Sequence, residues 1–580
     1  MSRREAAGGR PQGAVGPRVL RCVARLAVVL AVAAALPGIA PLLGRRTALA
    51  RPPGADGSRL ADAERALEEL RVEEAARDLE ALAARHPRDP DVLARLALLR
   101  FHQGRYGEAT RALERSIADE GAPDPQSAFL LELFRATRDE TGDLETSRSR
   151  DGRYLVLHPP GSDEVLVPWA EDALRRAEAV LSEALGVRLP GPLRLEIYPS
   201  PRALAAVSTL TVDEIERTGT IALSKWDRLM VTSPKALPRG YPWLDTVAHE
   251  LVHLMLARVT HDRAPVWLQE GVAKFLEGRW REAAPPGGGA PVIPRPEVAD
   301  EPPDEAALPG PRFPYLDPAS EGLLFEAVSG GGLIPFDDLH PSIARLPSQR
   351  DAALAFAQVA TFVGTYLERH GPDALRRALP LIAEGVDARE ALAREAGRSF
   401  PELEASWRAV LRQRRDAAGT ASRPEVRPLR FGEAPSRADE ATEVDVETAR
   451  RHLRLGDMLW DRGRAGAATV EYGRAHEAAP LDPIVGSRLG HAALAADDPE
   501  RAIDALEPLL ARHPNHAPLY VLLGQARLAR SARGEAEAAF VEAIRLNPFD
   551  PAPHCGLAEA TDDPRLRDRA RAGCRRLQRR

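Results

Sequence analysis

Leu455, Leu489, Leu523 and Leu557 stand 34 residues apart, and Gly456, Gly490 and Gly524 follow the first three. Ala468, Ala502 and Ala536 keep the same interval, as do Pro480, Pro514 and Pro548. A unit this short cannot bury its own apolar face, so it must stack on its neighbours. The anchors describe that unit. Small Ala and Gly let the two helices of a hairpin approach closely. Leu, with Tyr472 and Phe540, fills the space between hairpins, and Pro ends the second helix. Three full repeats are expected over 449–550. The basic tail "RDRARAGCRRLQRR" reads as a solvated capping helix after them, with lipid headgroup binding the minority reading.

The period and its anchors resemble the tetratricopeptide repeat, which implies a protein partner. A weaker copy lies near the N-terminus, where Ala75 and Ala109, and Leu79 and Leu113, are again 34 apart. Two repeats over about 56–123 and a closing helix to about 142 are expected. Two repeats alone are marginal, so they are expected to pack on the next domain.

Between the arrays the texture changes. "RYLVLHP", "LRLEIYPS" and "DRLMVTS" read as strands rich in branched and aromatic residues. "WAEDALRRAEAVLSEALG" reads as an amphipathic helix ended by Gly186, and two helices follow over Leu244–Val259 and Val266–Arg279. A mixed domain over 150–415 results, interrupted by a Pro/Gly-rich loop at 283–314 that cannot pack a core. Residues 416–446 read as a linker, and 447–580 as the second array with its cap.

Residues 1–50 read as a targeting segment. Arginines precede the apolar "LAVVLAVAAALPGIAPLL", and Ala48 and Ala50 offer an A-x-A cleavage site. Cleavage is preferred and an uncleaved membrane anchor is the alternative. Either places the remainder outside the cytoplasm, in a bacterial periplasm or on the outer face of the inner membrane. Net charge is −6 over 580 residues, and no basic excess points to nucleic acid. The three cysteines, Cys22, Cys555 and Cys574, form no C-x-x-C pair, which argues against thiolate metal sites. Cys555 and Cys574 read as two half-buried thiols, with pairing the alternative in an oxidising compartment.

The chemistry sits in "TVAHELVHLM". Residues i and i+4 share a helix face, so His249 and His253 can grip one ion with Glu250 beside them. Leu256 and Val259 occupy the places of Gly and His in H-E-x-x-H-x-x-G-x-x-H, which excludes that class. A third ligand is offered by Glu270 in "PVWLQEGVAKFLEG". It lies off the apolar stripe of Leu268, Val272, Phe275 and Leu276, and the short loop "THDRAP" lets its helix fold back on the first. Asp245, one turn before His249, and Glu277 are candidates to orient an imidazole. For Asp245 a charge favouring the helix dipole is the preferred reading. Trp267 reads as a core anchor.

The stretch "DTVAHELVHLMLARVTHDRAPVWLQEGVAKFLEGRW" resembles the gluzincins of the peptidase MA-like family, whose pattern is H-E-x-x-H followed by W-x-x-E-G-x-A. The likeness covers about 150–415. It implies an α+β zincin-like domain between two all-α repeat arrays, Zn2+ held by His249, His253 and Glu270, Glu250 as catalytic base, and a protein or peptide substrate. The chain departs from the family pattern at Phe356, where a Tyr is common, and at Lys274, where thermolysin-like enzymes carry an Asp. An extended substrate would add to an edge strand, for which 228–233 is the candidate. Tyr315 and Tyr366 are the candidates for an oxyanion donor. Two functions remain open at this level: an exported zinc metallopeptidase with recruiting repeats, or a repeat scaffold carrying a degenerate zincin domain.

Overall fold

The computed structural model describes residues 55–118, 123–282, 313–339, 343, 346–418, 429–433 and 435–579. The targeting segment and nearly all of the 283–314 loop lie outside the described residues.

The N-terminal array runs α1 (Ala55–Glu68), α2 (Val72–Arg85), α3 (Pro90–His102), α4 (Tyr106–Ser116) and α5 (Pro125–Gly142). Its starts are written in Asp-Pro dipeptides. The Asp89 carboxylate accepts from the Asp91 and Val92 amides while Pro90 occupies the first helical turn. Asp124 does the same for α5. An Asp cap satisfies orphan amides, and Pro has no amide to waste there.

The central region opens with β1 (Glu145–Arg148) and β2 (Tyr154–His158), followed by α6 (Val167–Leu185), β3 (Leu193–Tyr198), two short helices α7 (Pro201–Ala206) and α8 (Val212–Thr218), β4 (Ala222–Lys225) and β5 (Arg228–Thr232). The sheet order is β1-β2-β3-β5-β4. β2, β3 and β5 are parallel, and β1 and β4 close the sheet antiparallel. β5 is therefore interior, and the edge assigned to 228–233 is corrected: the edge strand on that side is β4. β4 is four residues long and turns back through Trp226 and Asp227, both at positive φ, so it carries too little alternation to be read from sequence.

Helix α9 (Trp243–Val259) packs against β4 and β5, and α10 (Val266–Leu276) packs on α9 and on α12 (Gln349–His370); α11 (Pro318–Gly330), α13 (Asp373–Ala383), α14 (Ala388–Ala396) and α15 (Phe400–Ala418) complete the region. The second array comprises α16 (Arg437–Thr442), α17 (Glu447–Asp461), α18 (Ala465–Ala478), α19 (Pro483–Ala495), α20 (Pro499–Leu510), α21 (Ala517–Ala529), α22 (Arg533–Leu546), α23 (Pro551–Ala560) and α24 (Pro564–Gln578). Gly456 and Gly524 show why the period needs glycine: a Cβ would lie 2.5 Å from the Tyr472 ring and 2.6 Å from the Phe540 ring. Cys555 and Cys574 form a disulfide joining α23 to α24, with Cα atoms 5.0 Å apart. The preference for two free thiols is thus corrected; antiparallel packing of the last hairpin brings them together.

Both arrays are seated on the central region through buried charge. At the N-terminal junction Arg228, 1% exposed, bonds Glu196 at 2.8 Å and the Tyr106 hydroxyl at 2.7 Å, and Tyr198 donates to Glu196 at 2.6 Å. At the C-terminal junction the Tyr241 amide donates to the Leu546 carbonyl at 2.9 Å, and Arg545 donates to Asp245 at 2.8 Å. Phe540, Ile544 and Leu557 share one apolar core with Val247 and Leu251 of α9.

Candidate metal centre

α9 is apolar along most of its length and is buried in the core, which leaves few directions for its polar side chains. The chain leaves α9 through a tight turn at His261 and Asp262, two consecutive non-glycine residues at φ 53° and 57°. α10 then returns across α9. Gly271, directly after Glu270, permits close packing against α12: a Cβ there would lie 2.7 Å from the Val359 carbonyl oxygen. Trp267 is buried and packs edge-on to Phe336 and Phe362.

This arrangement brings three side chains to one point. His249 Nε2 lies 3.2 Å and His253 Nε2 3.3 Å from Glu270 Oε2, and the two ring nitrogens are 3.1 Å apart. The three possible ligand atoms all lie within 4.8 Å of one another. Glu277 accepts from His249 Nδ1 at 3.0 Å and is itself held by Lys274 at 2.5 Å. A proton on Nδ1 leaves the Nε2 lone pair facing the cluster, the arrangement a ligating histidine needs. Lys274 thus holds the carboxylate that faces His249 Nδ1.

Burial opposes the His249 imidazolium, yet hydrogen bonds to Glu270 and Glu277 overcome it and hold the ring's pKa at about 10. Burial also opposes charge on Glu270, and the attraction of His253 with bonds from both rings keeps its carboxyl well below the usual range. The cluster demands positive charge, which a proton on His249 meets and which a divalent cation on the same atoms would meet as well. Glu250 differs. It is 5% exposed, its Oε2 has no hydrogen-bond partner among the described residues, and burial pushes its carboxyl up to about 7.

Asp245 is placed elsewhere. Its carboxylate accepts from Trp280 Nε1 at 2.9 Å, Arg281 Nε at 3.0 Å and Arg545 at 2.8 Å, so it braces the start of α9 and contacts no imidazole. Nothing in the local pattern around Asp245 announces a partner 300 residues away; the only hint is a charged Arg545 between Ile544 and Leu546. Phe356 lies edge-on to His249 with ring centroids 6.1 Å apart. Tyr366 donates to the Leu392 carbonyl at 3.1 Å, and Tyr315 is packed against Phe275.

The tetratricopeptide-repeat family model matches residues 58–127 and 487–551. Residues 128–486 lie outside both matches. No curated protein matches the chain. Solved structures that resemble it include the first tetratricopeptide domain of Spaghetti (RPAP3) bound to an HSP90 peptide, SRMEEVD, at 20% identity over 20% of this chain and 93% of that one, TM-score 0.20. MamA is 21% identical over 24% of this chain and 83% of its own, TM-score 0.21. The APC/C hetero-tetramer Cut9-Hcn1 is 12% identical over 91% and 93%, TM-score 0.21. The chain is a helix-rich protein with tetratricopeptide repeats at both ends and a small five-stranded sheet between them. Stacked hairpins of this kind present extended surfaces suited to protein contact.

Proposed function

We propose that this protein is a protein-binding repeat scaffold built around a zinc-dependent hydrolytic centre that cuts peptide bonds. The repeat matches support the first half of that statement. The second half rests on one observation, the convergence of His249, His253 and Glu270 on a common point beside a buried Glu250 whose Oε2 has no hydrogen-bond partner among the described residues.

His249, His253 and Glu270 would hold the metal, two imidazoles and a carboxylate being a donor set that suits zinc. Bound there, zinc would supply Lewis acidity, polarising a substrate carbonyl and making water more acidic. The chain's own groups do the rest. Glu250 takes a proton from water and returns one to the leaving amine, a role suited to a carboxyl held near neutral pKa. Glu277 fixes the His249 tautomer. β4 offers the open edge on which an extended peptide can add as a further strand. The Cys555–Cys574 disulfide supports an exported protein, since such bonds persist in oxidising compartments. Among the described residues no helix is long and apolar enough to cross a membrane.

The competing reading is a repeat scaffold whose central domain has lost catalysis. It is favoured by the repeat matches, and by Phe356, which has no hydroxyl to offer beside His249. Cleavage of a casein-derived peptide library by the wild-type chain and by Glu250→Gln separates the two. The hydrolase gives cleavage that falls at least about a thousandfold in the variant, the order expected for loss of an essential proton-transfer group. No cleavage dependent on Glu250 establishes the scaffold.

A further inference from the structure

The first repeat of the C-terminal array differs from those after it in one respect. Leu489, Leu523 and Leu557 are 3%, 1% and 0% exposed, whereas Leu455, in the same phase, is 43% exposed. One turn on, Ala492, Ala526 and Ala560 are buried, whereas Met458 is 51% exposed. In the later repeats these positions are covered by the second helix of the preceding hairpin. Leu489 and Ala492 pack with Ala468, Tyr472 and Ala475 of α18. Leu523 and Ala526 pack with Ala502, Leu506 and Leu509 of α20. Among the described residues the helix directly before α17 is the six-residue α16, which buries Ala441 against Leu453 and Ala449 and leaves Leu455 and Met458 open.

The open positions are flanked by charge. Arg451, Arg454, Leu455 and Met458 fall at i, i+3, i+4 and i+7, one face of α17. Both arginines are exposed and have no carboxylate partner among the described residues. An apolar pair bordered by two unpaired cations selects against a second copy of this chain, because isologous stacking would bring the same arginines together. It also selects against the chain's own far end, since α24 presents further arginine.

We propose that this face binds an amphipathic helix of a partner protein whose apolar ridge stacks on Leu455 and Met458 and whose flank carries carboxylates opposite Arg451 and Arg454. The partner helix takes the place that α18 and α20 take on the hairpins that follow them. Met suits such a site, being long and adaptable where the buried repeats carry Ala. The proposal rests on the repeats being a recruiting array and is independent of the metal centre.

The test uses the full chain and a fluorescein-labelled, lactam-bridged peptide of residues 497–511, the chain's own acidic α20 segment. A second peptide carries Glu500→Lys, Asp504→Lys and Glu507→Lys. Fluorescence anisotropy is expected to show the acidic peptide binding at least about tenfold more tightly than the lysine peptide, with the gap closing as salt rises. Leu455→Asp should abolish binding, and the double variant Arg451→Glu/Arg454→Glu should reverse the preference, a gain that misfolding could not produce. Binding that survives Leu455→Asp, or an unreversed preference, overturns the assignment of this face while leaving the repeats as a recruiting array. No binding of either peptide anywhere on the chain counts against both. A concentration-dependent dimer lost in Leu455→Asp would overturn the proposal in favour of self-association.

Discussion

At the N-terminal junction the charged groups are sealed between an array helix and the sheet: Arg228 and Glu196 are 1% and 0% exposed, and their partners are the hydroxyls of Tyr106 and Tyr198. At the C-terminal junction the equivalent pair, Arg545 and Asp245, includes a residue of α9 itself, one turn before His249. The Arg228–Glu196 pair holds an array helix to the sheet and contacts no residue of the His249–His253–Glu270 cluster, although Arg258, near the far end of α9, also reaches Glu73 of α2 at 3.2 Å. The Arg545–Asp245 pair ties an array to the helix that carries both histidines. Similar devices therefore sit differently: the Arg228 pair is buried in the sheet, and the Arg545 pair meets α9 one turn before His249.

The sharpest way to break this contrast is to remove Arg228. Arg228→Met strands Glu196 in the interior, and losing one partner of a buried pair costs about 3–5 kcal/mol. Urea unfolding should show the loss, while zinc affinity of the remaining folded chain stays within about twofold, as expected of a site the change does not touch. Asp245→Asn should cost somewhat less, about 3 kcal/mol, because Arg281 can still reach water. It should also weaken zinc binding more than Arg228→Met does, because it loosens the start of the helix that carries both histidines. Burial opposes the charge of Asp245, but Arg281 and Arg545 hold its carboxyl below 3.8. The stability it contributes is therefore present above about pH 4 and is lost as pH falls through the lowered folded value. Asp245→Asn should remove that part of the acid limb in pH-dependent unfolding.

Gly240 tests the C-terminal junction through the backbone. It sits at φ +67°, and a Cβ there would lie 1.9 Å from the Leu546 carbonyl oxygen. Gly240→Ala should cost about 1–3 kcal/mol in unfolding and loosen α22 from α9. The smallest effect on stability is expected from Glu277→Gln, near zero to about 1 kcal/mol. Competition with a zinc chelator should nevertheless show affinity down about tenfold to a hundredfold, because Nδ1 of His249 loses its charged acceptor.

Sequence carried the periodic parts of this molecule further than the rest. The 34-residue phase marked the hairpins because the same packing recurs, and the i, i+4 spacing with Glu270 marked the cluster because a helix fixes side-chain direction. The sheet order was not legible: β4 is four residues with no clear alternation, and pairing between β3 and β5 depends on a crossover through α7 and α8. The interior ion pairs were not legible either. Glu196 and Arg228 look like the polar members of half-exposed strands until α4 covers them. The Cys555–Cys574 bond and the Asp245–Arg545 pair fail for the same reason, being set by tertiary approach and not by local pattern. At repeat phase 455, sequence showed equivalence with the later leucines, but only the stacking reveals that nothing in the described array covers the first.

The central claim is that three side chains on two facing helices form a metal site. Elemental analysis of the purified chain after dialysis, set against Glu270→Ala, tests it most directly. The expected result is about one zinc per wild-type chain and near-complete loss in the variant, with circular dichroism showing both folded. Zinc that is absent from the wild type, or that stays stoichiometric in folded Glu270→Ala, would contradict it.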